Sequence, residues 1–293
     1  DGDPQPGVES IKKHARVYPL SGAENPPEQK FINASGMEVN TVHGNDFTFF
    51  EELNQIVQEE PAESLDPELL GLFASIGIKK GQPFEPDERM KQILTEAAAG
   101  GNATVRSFVF PGRDKASYQY DNRYWKTAFI GGSHEFLNDG VRLLDARAFF
   151  YYYATFTTPA MILKVPGAGS QYSLATVDAN GQPLNGSKNY ILHFPPDVPA
   201  KDFWSVVVYD NQTRSMLQTD QSYPSLMSQR GVQANSDGSY DIYFGPQAPA
   251  GKESNWIQTI PGKGWNVILR FYGPLEPWFD QTWRPDDIEL VNN

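Results

Sequence analysis

The densest group of side chains able to do chemistry is Tyr209-Asp210-Asn211-Gln212-Thr213-Arg214. It follows the apolar run Phe203–Val208, and a loop leaving a buried strand often carries functional polar groups. Asp210 can act there as acid, base or metal ligand, and Arg214 can grip a carboxylate or other anion with two parallel N–H donors. The competing reading is more ordinary: an Asp-capped turn closed by an arginine salt bridge. Arg270 lies inside a strand-like run, where an unpaired guanidinium is costly to bury, so Asp210 or Asp241 is its expected partner. A second set, Asn255, Trp256 and Trp278, offers an amide beside flat apolar rings, as on a shelf for a sugar. Against it stands the general use of large aromatics for packing.

Other chemistries find little footing. The four histidines, His14, His43, His134 and His193, have no metal-ligand spacing such as HExxH. No GxSxG elbow, P-loop or GxGxxG is present, so a serine triad or a nucleotide cofactor has no motif behind it. Asp178-Ala179-Asn180-Gly181 and Asn235-Ser236-Asp237-Gly238 resemble pieces of calcium loops but lack the distal bidentate acid, and turn chemistry accounts for both. No metal and no cofactor is therefore assigned. Arg142 and Asp145 read as an intrahelical pair. The 36 acidic against 24 basic residues give −12, which argues against nucleic acid or an anionic membrane as partner. No run of about 18 apolar residues spans a bilayer. The absence of cysteine fits a periplasmic or secreted protein.

Four strand-like runs organise the chain: Asn189–Phe194, Phe203–Tyr209, Tyr240–Phe244 and Trp265–Tyr272. Period-two counting puts Trp265, Val267, Leu269 and Phe271 on one face and Asn266, Ile268, Arg270 and Tyr272 on the other. The second run is apolar on both faces and so is expected at the middle of its sheet. A further strand, Gln171–Asp178, leads into an Asn180-Gly181 turn. The long loop 210–239 is of a kind that often serves function. Upstream, residues 1–40 read as an extended arm with a short helix near Val8–Ala15. Helices are expected over Asp46–Glu59, from Asp66-Pro67 to Gly77, and from Glu85-Pro86 to Gly100-Gly101. A longer, largely buried one is expected over Asp139–Thr157, with Leu143, Leu144, Phe149, Phe150, Tyr152 and Tyr153 as its apolar positions, and Phe149–Tyr153 equally readable as a strand. The predicted fold is α+β: a helical block over 41–135 and an antiparallel, jelly-roll-like β-sandwich with a leading helix over 136–293. The Pro- and Trp-rich tail 273–286 should wrap the sheet edge and bury its rings.

Two long stretches, SQYSLATVDANGQPLNGSKNYILHFPPDVPAKDFWSVVVYDNQTRSML and NSDGSYDIYFGPQAPAGKESNWIQTIPGKGWNVILRFYGPLEPWF, resemble the bacterial domain-of-unknown-function family 1214. The blocks HGNDFTFFEELNQIVQEEP and DPELLGLFASIGIKKGQPFEPD are similar to the segment that usually precedes it. The resemblance implies a jelly-roll-like sandwich, often in exported proteins, and an upstream companion domain of unknown-function family 1254. It also implies that Asp1–Pro27 begins where such a companion ends.

Three readings of function follow. The first is a binding module for a small-molecule or glycan-like ligand in an aromatic-lined groove. The second is a hydrolase or lyase using Asp210 with Arg214, Tyr209 or Arg270. The third is a structural half that completes a body with the upstream domain. Whether the chain is an enzyme, and whether it forms a homo-oligomer, stay open at this level.

Overall fold

A computed structural model describes residues 3–40, 42–110, 114–154 and 156–291. It divides into two units, Asp1–Asn40 and Thr41–Asn293. The first holds α1 (Gln5–His14), whose last turn carries Lys12, Lys13 and His14 where cations complement the helix dipole. The remainder is largely extended. None of its described residues is buried, and Val17, Leu20 and Ile32 stand almost fully in solvent.

The second unit opens with α2 (Thr48–Glu59), α3 (Pro67–Ser75) and α4 (Glu88–Val109). Asp66 caps α3 by accepting the Glu68 N–H, and Asp87 caps α4 by accepting that of Met90, each at 2.8 Å. Phe50, Val57, Ile78 and Leu94 form the core of this block. The expected stop at Gly100-Gly101 does not occur, and α4 runs on to Val109. Two mid-helix glycines cost about 1 kcal/mol each relative to alanine. Beyond them Val105, Phe108 and Val109 pack into a second core, and that burial outweighs the local preference.

Next come β1 (Leu137–Asn138) and β2 (Val141–Arg142), joined through Asp139 and Gly140 with φ of 48° and 77°. This Asp-Gly turn forces a hairpin where a helix is expected to begin. The helix α5 therefore covers only Leu144–Ala154, and Thr155 of the expected longer helix lies outside the described residues. Arg142 sits in the hairpin and donates to the Glu135 carbonyl, so the anticipated pair with Asp145 does not form.

The sandwich follows: β3 (Ser170–Ala175), β4 (Tyr190–Phe194), β5 (Ala200–Asp210), β6 (Ser225–Met227), β7 (Tyr240–Gly245), β8 (Trp256–Gln258), β9 (Trp265–Pro274), then α6 (Glu276–Phe279) and β10 (Glu289–Leu290). One sheet has the order β3-β9-β5-β6, so β5 is interior. The other has the order β10-β4-β7-β8, and β8 runs parallel to β7. That sheet is mixed, not antiparallel throughout. The Asn255 amide donates to the Gln233 and Asp241 carbonyls and the Trp256 indole to Gly245, which anchors β8 alongside β7 in the same direction.

One core lies between the two sheets. Trp265, Val267, Leu269 and Phe271 point into it with Trp204, Val206 and Val208 from one sheet, facing Leu192, Phe194, Ile242 and Phe244 from the other. Trp278 and Trp283 of the tail insert against Phe271, with ring centres 4.4 and 5.6 Å away. The architecture is α+β. Among the described residues no helix is long and apolar enough to cross a membrane.

Candidate functional site

The face of the first sheet that turns away from the core carries Asn266, Ile268 and Arg270 on β9. Register places Tyr172 and Ser205 beside Arg270, and Tyr209 beside Asn266. Helix α5 stands over this face with three consecutive tyrosines. Successive residues on a helix are about 100° apart, so Tyr151, Tyr152 and Tyr153 fan around it and reach three neighbouring hollows. The smallest, of about 60 Å³, is lined by Tyr152, Tyr153, Tyr209, Arg214, Asn266, Ile268 and Arg270. It shares Tyr152 and Arg214 with an apolar cleft of about 250 Å³ that reaches α2 and α4. On its other side it shares Tyr153, Ile268 and Arg270 with a cleft of about 260 Å³.

Arg270 donates to the Tyr209 hydroxyl, and its guanidinium lies 5.6 and 5.9 Å from the ring centres of Tyr172 and Tyr209. Its Nε is buried and has no partner among the described residues. Neither expected acid reaches it. Asp241 binds His193 at 2.7 Å, and Asp210 binds Lys263. Burial works against the charge on Arg270, but the surrounding hydroxyls of Tyr209, Tyr272 and Tyr172 outweigh it and keep the group protonated. Burial likewise raises the pKa of Tyr209, partly offset by Arg270. The Tyr153 hydroxyl is also buried without a partner among the described residues.

Arg214 arrives from the loop after β5. Its backbone is left-handed, with φ of 63°, which costs a non-glycine residue about 1–2 kcal/mol. The surrounding loop holds it there. Asp210 accepts the N–H groups of Gln212 and Thr213, and its carbonyl accepts that of Arg214 at 2.9 Å. The Asn211 carbonyl accepts from Arg106 and from the Tyr152 hydroxyl, and its side chain from Asn266. Backbone strain of this kind concentrates at functional positions. The guanidinium stacks 4.6 Å above the Tyr152 ring and 5.9 Å from Tyr151. Among the described residues neither Arg214 nor Arg270 enters an ion pair. Nearby His43 leans on Tyr151, and burial first, then Arg214, depresses its pKa below the usual histidine range.

Residues 169–276 match the model of a protein family of unknown function, DUF1214. This stretch is similar to DUF1214. Two crystal structures are similar to the chain. The VPA0106 protein from Vibrio parahaemolyticus is 20% identical, over 92% of this chain and 59% of that one, with a TM-score of 0.42. An uncharacterised protein from Burkholderia cenocepacia is 14% identical, over 76% and 48%, with a TM-score of 0.34. The chain thus spans roughly half to three-fifths of those structures. No curated protein matches the sequence.

The stretch that matches the family model supplies Tyr209, Arg214 and Arg270 to one hollow, while Asp210 stays outside it. Burial pushes the Asp210 carboxyl upward, but Lys263 and the two loop N–H groups outweigh this and hold it below the usual range. It is an ionised turn cap, and lysine takes the place of the expected arginine bridge. The proposed shelf is not assembled either. Asn255 is buried with both amide hydrogens and its oxygen in use, Trp278 belongs to the core, and half-buried Trp256 spends its N–H on Gly245. Sequence reasoning reads Tyr152 and Tyr153 only as apolar helix positions, although the Tyr-Tyr-Tyr run was a visible sign. It misses Arg106, which lies past the glycines, and Lys126. The latter is fully buried, donates to the Val109 carbonyl and the Thr176 hydroxyl at 2.7 Å each, and is brought by burial to a pKa of about 7. Among the described residues no cluster of acids and histidines could hold a metal ion.

Proposed function

We propose that this chain is a binding module for a small organic anion, held between α5 and the outward face of the β3-β9-β5-β6 sheet. One observation carries the reading: Arg214 and Arg270, neither in an ion pair, line a single hollow with tyrosine hydroxyls and the Asn266 amide. Positive charge without a counter-ion in a partly dry site is costly, and an anion relieves that cost. The planar fork of arginine suits a carboxylate or phosphate.

Calorimetric titration with benzoate and with inorganic phosphate tests this on the intact chain, with Arg214→Gln and Arg270→Met as variants. Binding should weaken at least tenfold in either variant. Arg270→Met should meanwhile lower stability by about 1 kcal/mol, because the hydrogen bond to Tyr209 and the ring contacts that outweigh burial of the charge are lost. Unchanged anion affinity in both variants refutes the reading. A catalytic alternative, a hydrolase or lyase, draws support from the Arg270–Tyr209 contact. It would rely on Tyr209 as proton donor, since its raised pKa keeps it protonated, with Asp210 excluded by its capping role.

A further inference from the structure

Beside the two-arginine hollow, the cleft toward α2 and α4 has apolar walls: Phe49 and Phe50 from α2, Ala97, Ala98 and Val105 from α4, and Tyr151. Its charged residue is Arg214, which also lines the smaller hollow. The wall on α4 includes Gly101, the second of the two glycines that the helix carries at a loss in its interior. Packing does not demand a glycine there. A Cβ at Gly101 would meet nothing within 4 Å, and the same is true of Gly100. Gly101 is itself exposed, so the missing side chain leaves the cleft open at its mouth. Arg214 is stacked by one face on Tyr152, which leaves its N–H edge for a planar two-oxygen partner. An apolar slot that ends on a fixed, unpaired guanidinium is complementary to a molecule that is apolar along its length and anionic at one end.

We infer that the site takes an amphipathic carboxylate, its head on Arg214 and its apolar tail laid along α4 over Gly101. This rests on the anion-binding reading above and adds the class of ligand. The tail cleft of about 250 Å³ has room for roughly eight groups, at the about 30 Å³ that a water-sized group occupies. A medium-length alkyl acid or an aryl acid fits that volume.

The test is calorimetric titration of the intact chain with straight-chain carboxylates from acetate to dodecanoate, with octyl phosphate and 1-octanol as head-group controls. Affinity should rise about fourfold per methylene and level off near eight carbons. Gly101→Leu fills the cleft while improving helix propensity. That variant should keep or raise the melting temperature, bind acetate as the wild type does, and lose the gain with chain length. Arg214→Gln should weaken every carboxylate alike. Anion binding that ignores chain length overturns the tail assignment and leaves the anion site standing. Octanol or octyl phosphate binding as tightly as octanoate overturns the carboxylate head. Failure of every carboxylate on the wild type, with phosphate and benzoate also silent, removes both readings.

Discussion

Replacing Lys126 by methionine should leave stability nearly unchanged near pH 7 and cost progressively more as pH rises. The lysine is fully buried, enters no ion pair among the described residues, and its two hydrogen bonds run to neutral acceptors. Burial lowers its pKa from 10.5 to about 7. Between those values the unfolded chain binds a proton that the folded chain lacks, so stability rises with pH, by about 1.4 kcal/mol per unit. The contribution is fully present above about pH 10.5 and disappears as pH falls to about 7, a span on the order of 5 kcal/mol. Methionine has a similar length and nothing to titrate. Below pH 7 the variant loses two hydrogen bonds, worth about 1–3 kcal/mol with the Val109 carbonyl left short of a donor, but it escapes the burial of an ammonium. The two proteins should therefore be nearly equally stable there. By pH 9 the wild type should lead by about 3 kcal/mol. Urea unfolding of both at half-unit steps from pH 6.5 to 9.5, with matched m values, measures the difference directly. A difference that stays flat or shrinks as pH rises refutes the account of Lys126 as a buried lysine kept neutral by its surroundings.

Asp210→Ala should cost about 2 kcal/mol in urea unfolding, because a carboxylate that holds two loop N–H groups and Lys263 is removed. Since its folded pKa is depressed, the Asp210 contribution is present above the unfolded value near pH 4 and lost as pH falls through the folded one. The wild-type advantage over Asp210→Asn should accordingly shrink in acid. Benzoate affinity should fall with it, as the left-handed turn that presents Arg214 loosens. Trp278→Ala should cost about 3–5 kcal/mol, whereas Trp256→Phe should cost about 1 kcal/mol. Thermal unfolding compares them, and equal losses would contradict the placement of Trp278 in the core.

Local rules read the strands and caps from the sequence alone. Alternation in Trp265–Tyr272 already separates the core face from the face that carries Arg270, because side chains in a strand alternate whatever the strand pairs with. Asp66 as a cap and the interior position of β5 follow from equally local chemistry. Arg214 as an anion-binding candidate comes from residue type and loop position. Tertiary structure decided the rest. The helix runs through Gly100-Gly101 because Val105, Phe108 and Val109 find a core beyond them, and no local propensity reports that burial. Arg270 faces tyrosines instead of Asp210 or Asp241 because Asp210 shares the register position of inward-facing Trp265 and Asp241 lies on β7 of the opposite sheet. The tryptophans that looked fit for a shelf are drawn into packing, since large rings stabilise most where a core has room for them. The hollow itself depends on α5 standing over the sheet, a relation among segments far apart along the chain, and spacing within one segment does not encode it.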